Sequence, residues 1–399
     1  MPISSNTQSD HAIIADAVRT PFGRYFGGLS AVRPDDLLGS TLKVLGARHP
    51  QLNLAEIDDV IIGDSNGAGE DNRNVARMGL LLAGFPQTIP GVTINRLCGS
   101  GAEAFIQGAR AIRTGDAEFI IAGGVESMSR APWIVERVDK KEPVNPTYHQ
   151  STVGWRFINP KYPGNWTQSL GRCSEIVAER LNISRTEQDE WSLRSHERAN
   201  AAWEKNLHSN WVVPFGSVTR DESIRPDTSL EKLAALPSAF SENGAGTAGN
   251  SSPLNDGSVC AILTNQKQIE RYDIDPIARI LASSVTAIEP DLFSLAPVSA
   301  IQKVLHRSGY KVSDVKVWEI NEAFASMVLT VLHELPEIDQ NKVNINGGAI
   351  AIGHPVGASA ARIIIECARE LKRQGGGIGI AAACIGVGLG VAVLIEVQP

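Results

Sequence analysis

One pattern occurs twice in this chain, and it limits the folds open to the sequence more than any other feature. The first copy is Cys98-Gly99-Ser100-Gly101-Ala102, a helical stretch to Arg113, Gly115, an apolar strand at 118–122, and Gly123-Gly124. The second is His354-Pro355-Val356-Gly357-Ala358, a helical stretch to Arg373, Gly375, a strand at 378–383, and Cys384-Ile385-Gly386. In the second helix Ala361, Ile364, Ile365, Ala368 and Leu371 fall at i, i+3, i+4, i+7 and i+10, the spacing of one buried face. A unit repeated in this way predicts two similar halves packed on each other. Cys98, His354 and Cys384 would then meet at facing helix N-termini.

The rest of the chain fits that plan. Strands are expected at 11–18, 60–63, 259–263, 277–283, 315–320, 343–345 and 390–396, with helices at 35–47, 75–83, 102–113 and 298–308. Alternation of this kind predicts an α/β protein with a largely parallel sheet covered on both faces. It lapses between 126 and 250, which hold six of the seven tryptophans, a helix at 173–181, and a helix opened by the capping box Ser184-Arg185-Thr186-Glu187 and running to about residue 206. That stretch reads as an inserted, mainly helical loop domain. The halves are then 1–125 with 251–272, and 273–399.

A chain of 399 residues exceeds one core. Its net charge of −7, without a basic run, excludes non-specific nucleic-acid binding, and leaves any polyanionic ligand to a few local cations. The five cysteines are dispersed, with no metal-type spacing, which predicts a reducing compartment and no metal site. Residues 1–10 are polar, and no apolar run reaches the roughly 18 residues of a membrane span. A soluble, cytoplasmic protein is expected.

Cys98 lies where a strand turns into a helix, at the positive end of the helix dipole and beside amides without intrahelical partners. The expectation is a thiol drawn below its usual ~8.5 toward thiolate. The alternative is a cysteine buried as a small hydrophobe. His354, on the glycine-dense loop Asn346 to Pro355, is placed to act as base near pH 7, although a lone histidine also serves structurally. Cys384 is a second thiol on a tight turn, suited to acid/base work at a carbon acid. The amides of Cys98 and Gly386 would form an oxyanion hole. Asn321 either holds a water, polarises a carbonyl or caps a helix.

Five stretches carry a resemblance: Asn95 to Gly101, Gly123-Gly124-Val125-Glu126-Ser127-Met128-Ser129, Asn321-Glu322-Ala323-Phe324-Ala325, Gly348 to Gly357, and Cys384 to Gly390. In this order they resemble the signature stretches of the thiolases, over nearly the whole chain. The resemblance implies duplicated αβαβα halves in five layers, a homodimer or homotetramer, and ping-pong acyl transfer. Coenzyme A is implied as substrate and product, with no tightly bound cofactor. Cys98 is implied as the acyl-carrying nucleophile, His354 as its base, Cys384 as the acid/base at the acyl α-carbon, and Asn321 as holder of the oxyanion-hole water. Thr247 to Gly257 is similar to the pantetheine-contacting block, with Ala248 in it, Ser252 at its hydroxyl contact, and Pro253 where glycine is usual. Arg225 matches a residue along the adenine nucleotide.

Gly69 to Met78 and Thr152 to Pro160 are similar to thiolases that cleave β-ketoadipyl-CoA, as is Val387 in place of the usual glycine. Arg156 would meet a distal carboxylate, or else pair with an internal acid. Two stretches depart from the family pattern at the acyl pocket, Ser169-Leu170-Gly171-Arg172 and Phe293-Ser294-Leu295-Ala296-Pro297. Leu170 and Phe293 are therefore expected to shape chain-length preference. Competing expectations are a biosynthetic acetyl-CoA C-acetyltransferase making acetoacetyl-CoA, and an acyl-CoA-binding protein without activity.

Overall fold

Side-chain alternation along the strands sets the layering. A computed structural model describes residues 11–137 and 147–399; the polar tail 1–10 and residues 138–146 of the insert lie outside the described residues. The first half contributes β1 (Ala12–Arg19), β2 (Gly23–Arg24), α1 (Pro34–Ala47), β3 (Asp59–Gly63), α2 (Val75–Leu82), β4 (Gly91–Ile94), α3 (Ser100–Thr114) and β5 (Phe119–Ser127). The stretch that follows holds β6 (Trp133–Val135), β7 (Tyr148–Gln150), α4 (Leu170–Arg180), α5 (Arg185–Glu204) and α6 (Leu230–Ala234). Next come β8 (Asn255–Thr264) and α7 (Gln266–Tyr272). The last part supplies β9 (Ala278–Ala287), α8 (Ala296–Ser308), β10 (Val315–Ile320), α9 (Ala325–Glu334), α10 (Ala349–Ile352), α11 (Val356–Arg373), β11 (Gly377–Ile385) and β12 (Leu389–Val397).

The main sheet runs β4-β3-β5-β8-β1-β9-β12-β11-β10, with β2 on β8. Its two halves join along a short seam in which Ala12 to Ile14 pair with Ala278 to Ile280. Successive residues of a strand face opposite sides. On β5, Ile120 and Ala122 face a central cluster with α3 and α11, while Phe119 and Ile121 face α1 and α2. On β11, Ala381, Ala383 and Ile385 face the same central cluster, while Ile380, Ala382 and Cys384 face α8 and α9. Outer helices, sheet, the α3–α11 pair, sheet and outer helices make five layers. The capping box at Ser184 opens α5, with its Oγ accepting from Glu187 N at 3.2 Å.

Three expectations change. The sheet is mixed rather than largely parallel: among the described residues only β3–β4, β3–β5 and β10–β11 run parallel. β11 and β12 are joined by a three-residue turn, which permits only an antiparallel pair, and β8 returns antiparallel to β5 after the insert. β5 continues through Gly123-Gly124 to Ser127 instead of ending there. Residues 343–345 are not a strand. Val343 makes one bridge to Trp318, and Asn344, at φ 49°, turns the chain away. Its side chain replaces the missing ladder, accepting from Ile320 N at 2.8 Å and donating to Ile320 O at 2.9 Å.

Candidate active site

Cys98 sits in a corner that the local sequence builds. Asn95 Oδ1 accepts from Leu97 N, and Ser100 Oγ accepts from Arg96 N while donating to Leu97 O, all at 2.7–2.8 Å. Leu97 takes φ 48°, a conformation non-glycine residues seldom adopt, and such strain gathers at functional sites. The corner delivers Cys98, 8% exposed, just ahead of α3. Behind it α3 crosses α11 at close range. A Cβ on Gly101 would stand 2.7 Å from Ala361 N and 2.9 Å from Gly357 O, so only glycine permits the approach.

That crossing sets the start of α11, and with it His354, beside the start of α3. His354 N donates to Asn255 Oδ1 at 2.9 Å, and its Nδ1 lies 2.6 Å from Ser359 Oγ. Its Nε2 is buried without a partner. The Cys384 thiol at the end of β11 lies close enough to feel the Cys98 charge, and the Gly386 amide faces the Cys98 sulfur. Asn321 follows β10, its N donating to Ala382 O at 2.9 Å, while both polar atoms of its side chain are buried and unpartnered. It does not cap a helix, because α9 begins at Ala325 with Phe324 as N-cap. Buried polar atoms are nearly always paired. Those of His354 and Asn321 are left for a reactant or a water.

The charge state differs from the expected thiolate. Burial pushes the Cys98 thiol up to about 11, against the Gly386 amide that favours the anion. Burial, then the Arg362 guanidinium, pulls the His354 imidazole down to about 4. Cys384 is held well above the usual thiol range by burial and by Cys98. Loss of water outweighs the helix dipole here. At rest the trio is thiol, imidazole and thiol, and the proton moves only as the sulfur attacks. Protonating Nε2 would remove the base, and with His354 titrating near 4, the acid side of the kcat/KM profile should not set in until below about pH 5. A fall centred near 6.5, the value of a solvated imidazole, would contradict a water-poor site.

Two acids missed from the sequence hold these turns. Glu126 Oε2 accepts from Ser65 N (3.0 Å), Ser65 Oγ (2.6 Å) and Gly357 N (2.9 Å), tying the end of β5 to the start of α11. Burial, with Ser65 opposing and Asp71 adding, raises its carboxyl. Glu322 accepts from Trp191 Nε1 (3.0 Å), Asn344 Nδ2 (2.8 Å), Ser195 Oγ (2.6 Å) and Ile350 N (3.2 Å), joining α5 to the Asn321 and His354 turns. Both acids lie inside stretches that carry the resemblance, Gly123 to Ser129 and Asn321 to Ala325, and that placement is the signal that could have found them.

The binding and pocket candidates lie outside this group. Ser252 is half-buried, its N donating to Ala323 O at 3.0 Å, while Ala248 and Arg225 are exposed. Phe293 is buried edge-on to Phe324, and Leu170 packs half-buried on the same core. Arg156 is half-buried and, among the described residues, pairs with no carboxylate. Its neighbour Trp155 donates to Gln168 O at 3.1 Å and roofs the Cys384 turn: a Cβ on Gly386 would lie 3.1 Å from the indole. Val387 in that turn takes φ 59°. Among the described residues no group of three His, Cys, Asp or Glu could hold a metal, and no helix is long and apolar enough to cross a membrane.

Comparison with known proteins points the same way. The thiolase N-terminal domain model matches residues 12–267 and the thiolase C-terminal domain model residues 274–397. The chain is 46% identical to the 3-oxoadipyl-CoA/3-oxo-5,6-dehydrosuberyl-CoA thiolase of Escherichia coli strain K12, over 96% of this chain and 99% of that one. It is 43% identical to a beta-ketoadipyl-CoA thiolase of Acinetobacter baylyi, over 97% and 99%. Among solved structures, the Bacillus anthracis acetyl-CoA acetyltransferase superposes with a TM-score of 0.91 at 36% identity, covering 98% of this chain and 100% of that one. The human mitochondrial 3-ketoacyl-CoA thiolase in complex with CoA gives 0.91 at 33% identity, covering 98% of each.

Proposed function

The chain belongs to the thiolase family, acyltransferases that cleave 3-ketoacyl-CoA with CoA, and from that premise we propose that it acts on 3-oxoadipyl-CoA through Cys98, His354, Cys384, Asn321 and Gly386. What supports the residue roles is that His354 Nε2 and both ends of the Asn321 amide are buried without partners, with the Asn321 turn bonded to the strand that carries Cys384 and the His354 turn packed on the start of the helix that follows Cys98. His354 Nε2 takes the Cys98 proton as the sulfur attacks the 3-keto carbon. The new alkoxide is held by the protonated imidazole and a water on Asn321. The bond between C2 and C3 breaks, its electron pair passes to C2, and Cys384 protonates that carbon to release acetyl-CoA. The acyl group remains as a thioester on Cys98. A second CoA gives its thiol proton to Cys384 and attacks this thioester, whose oxyanion faces the Cys98 and Gly386 amides; the intermediate then expels the Cys98 sulfur, which recovers its proton from His354, and the shortened acyl-CoA leaves. The same steps reversed are a Claisen condensation.

Ser252, Ala248 and Arg225 are read as the CoA contacts, with the exposed Arg225 suited to a nucleotide at the surface. Leu170 and Phe293 are read as the rear of the acyl pocket. The division into 1–125 with 251–272, 126–250 and 273–399, and assembly as a dimer or tetramer, complete the reading. The exposed Leu81, Leu82, Trp133 and Tyr148 support assembly. Five free cysteines fit the cytoplasm.

The dicarboxylic substrate rests on Arg156, a half-buried cation beside the roof of the site with no acid paired to it among the described residues. A charge-assisted bond to a distal carboxylate is worth about 1.5–3 kcal/mol, or roughly 10- to 150-fold. Arg156→Ala should therefore lower kcat/KM for 3-oxoadipyl-CoA by that factor and leave acetoacetyl-CoA and medium-chain 3-ketoacyl-CoA unchanged. An equal loss on all three in a thiolysis panel would remove Arg156 as the carboxylate contact.

A further inference from the structure

His354 can serve as base only if the neutral ring carries its proton on Nδ1, leaving the Nε2 lone pair open toward Cys98. Hydroxyl bookkeeping on α11 decides this. Ser359, fully buried, places Oγ 2.8 Å from Pro355 O and 2.6 Å from His354 Nδ1. A carbonyl oxygen cannot donate, so the bond to Pro355 O uses the one hydroxyl proton of Ser359. Toward the ring, Oγ then has only lone pairs to offer, and Nδ1–H must donate to it. The opposite assignment would leave an N–H on Nε2, buried without an acceptor and pointing no lone pair at the thiol. The main chain beneath the ring is fixed as well: His354 N donates to Asn255 Oδ1 at 2.9 Å, and Asn255 Nδ2 is itself anchored on Gly23 O (2.8 Å) and Ser223 Oγ (2.9 Å). Among the described residues the Ser359 contact is the one polar bond made by the ring.

We infer that Ser359 is a positioning residue that fixes the Nδ1–H tautomer of His354 and so makes Nε2 the base. It touches no substrate and acts through the ring, much as second partners orient other working imidazoles. The inference rests on the proposed pairing of Cys98 with His354, and its test separates the two.

The test is NMR of the full chain labelled with 15N-histidine, the His354 signals identified by their loss in His354→Ala. It is paired with single-turnover acylation of Cys98 by an acyl-CoA. The parent protein should show a proton-bearing Nδ1 and a bare Nε2. Ser359→Ala should populate both tautomers and slow acylation by about 10²-fold, the lower end of what a positioned base supplies, with little change in KM. Ser359→Thr, which keeps the hydroxyl, should restore both. A parent ring protonated at Nε2, or a folded Ser359→Ala protein with unchanged tautomer and acylation rate, would overturn the inference. His354→Ala acylating at the parent rate would instead remove the Cys98–His354 pairing itself.

Discussion

Cys98→Ala is expected to abolish thiolysis, by about four orders of magnitude or more, because removing the nucleophile of a group that acts as a unit forfeits nearly all of its acceleration. The side chain is small and buried, so the variant should fold. Intact mass after mixing with substrate is the direct check: the parent gains one acyl group and the variant gains none. An alanine variant that still cleaves substrate at more than a trace would transfer the chemistry to another group.

Cys384→Ala has an effect nearly as large and more selective. General acid–base catalysis supplies about 10²–10⁴ in rate, and here it is needed at the carbon released when C2 and C3 part. Cleavage of 3-ketoacyl-CoA should fall by about 10³ or more. Transfer of a preformed acyl group between Cys98 and CoA breaks no carbon–carbon bond and leaves no carbanion to protonate. That exchange, followed with labelled CoA and acetyl-CoA, loses only the acceptor of the CoA thiol proton, a proton far more acidic than one on carbon, and should fall by about 10² at most. Equal loss of both would mean that Cys384 shapes the Cys98 pocket rather than moving a proton at carbon.

What the sequence discloses and what it hides divide along a physical line. The turns that open α3 and α11 are local: a reactive residue three positions ahead of a glycine, then an apolar helix stripe. They are readable without any structure. The strand order is legible only in part: the short connection from β11 to β12 forces an antiparallel pair, whereas β8 returns to β5 after a long insert whose sequence carries no signal of its direction. Residues 343–345 look like a strand by composition, yet Asn344 supplies with its side chain what a neighbouring strand would have supplied with its backbone. The Cys98 thiol departs from its expected state for a related reason. A helix start is visible in sequence, but the depth of water exclusion that outweighs it is not. Glu126, Glu322 and Asn255 lie inside stretches that carry the resemblance, yet their roles, like that of Ser359, are not legible there, because each acts across the fold or through a second side chain.

The middle layer of paired helices also governs how the molecule can be made. One side of α3 is covered by α11, close at Gly101 to Gly357 and Ala361, and α11 leaves the ribosome more than half a chain later. At roughly 5–20 residues per second that delay is on the order of tens of seconds. Through that interval the nascent first half presents a bare apolar wall. A growing polypeptide in that state is a natural client for whatever shields sticky surfaces during translation.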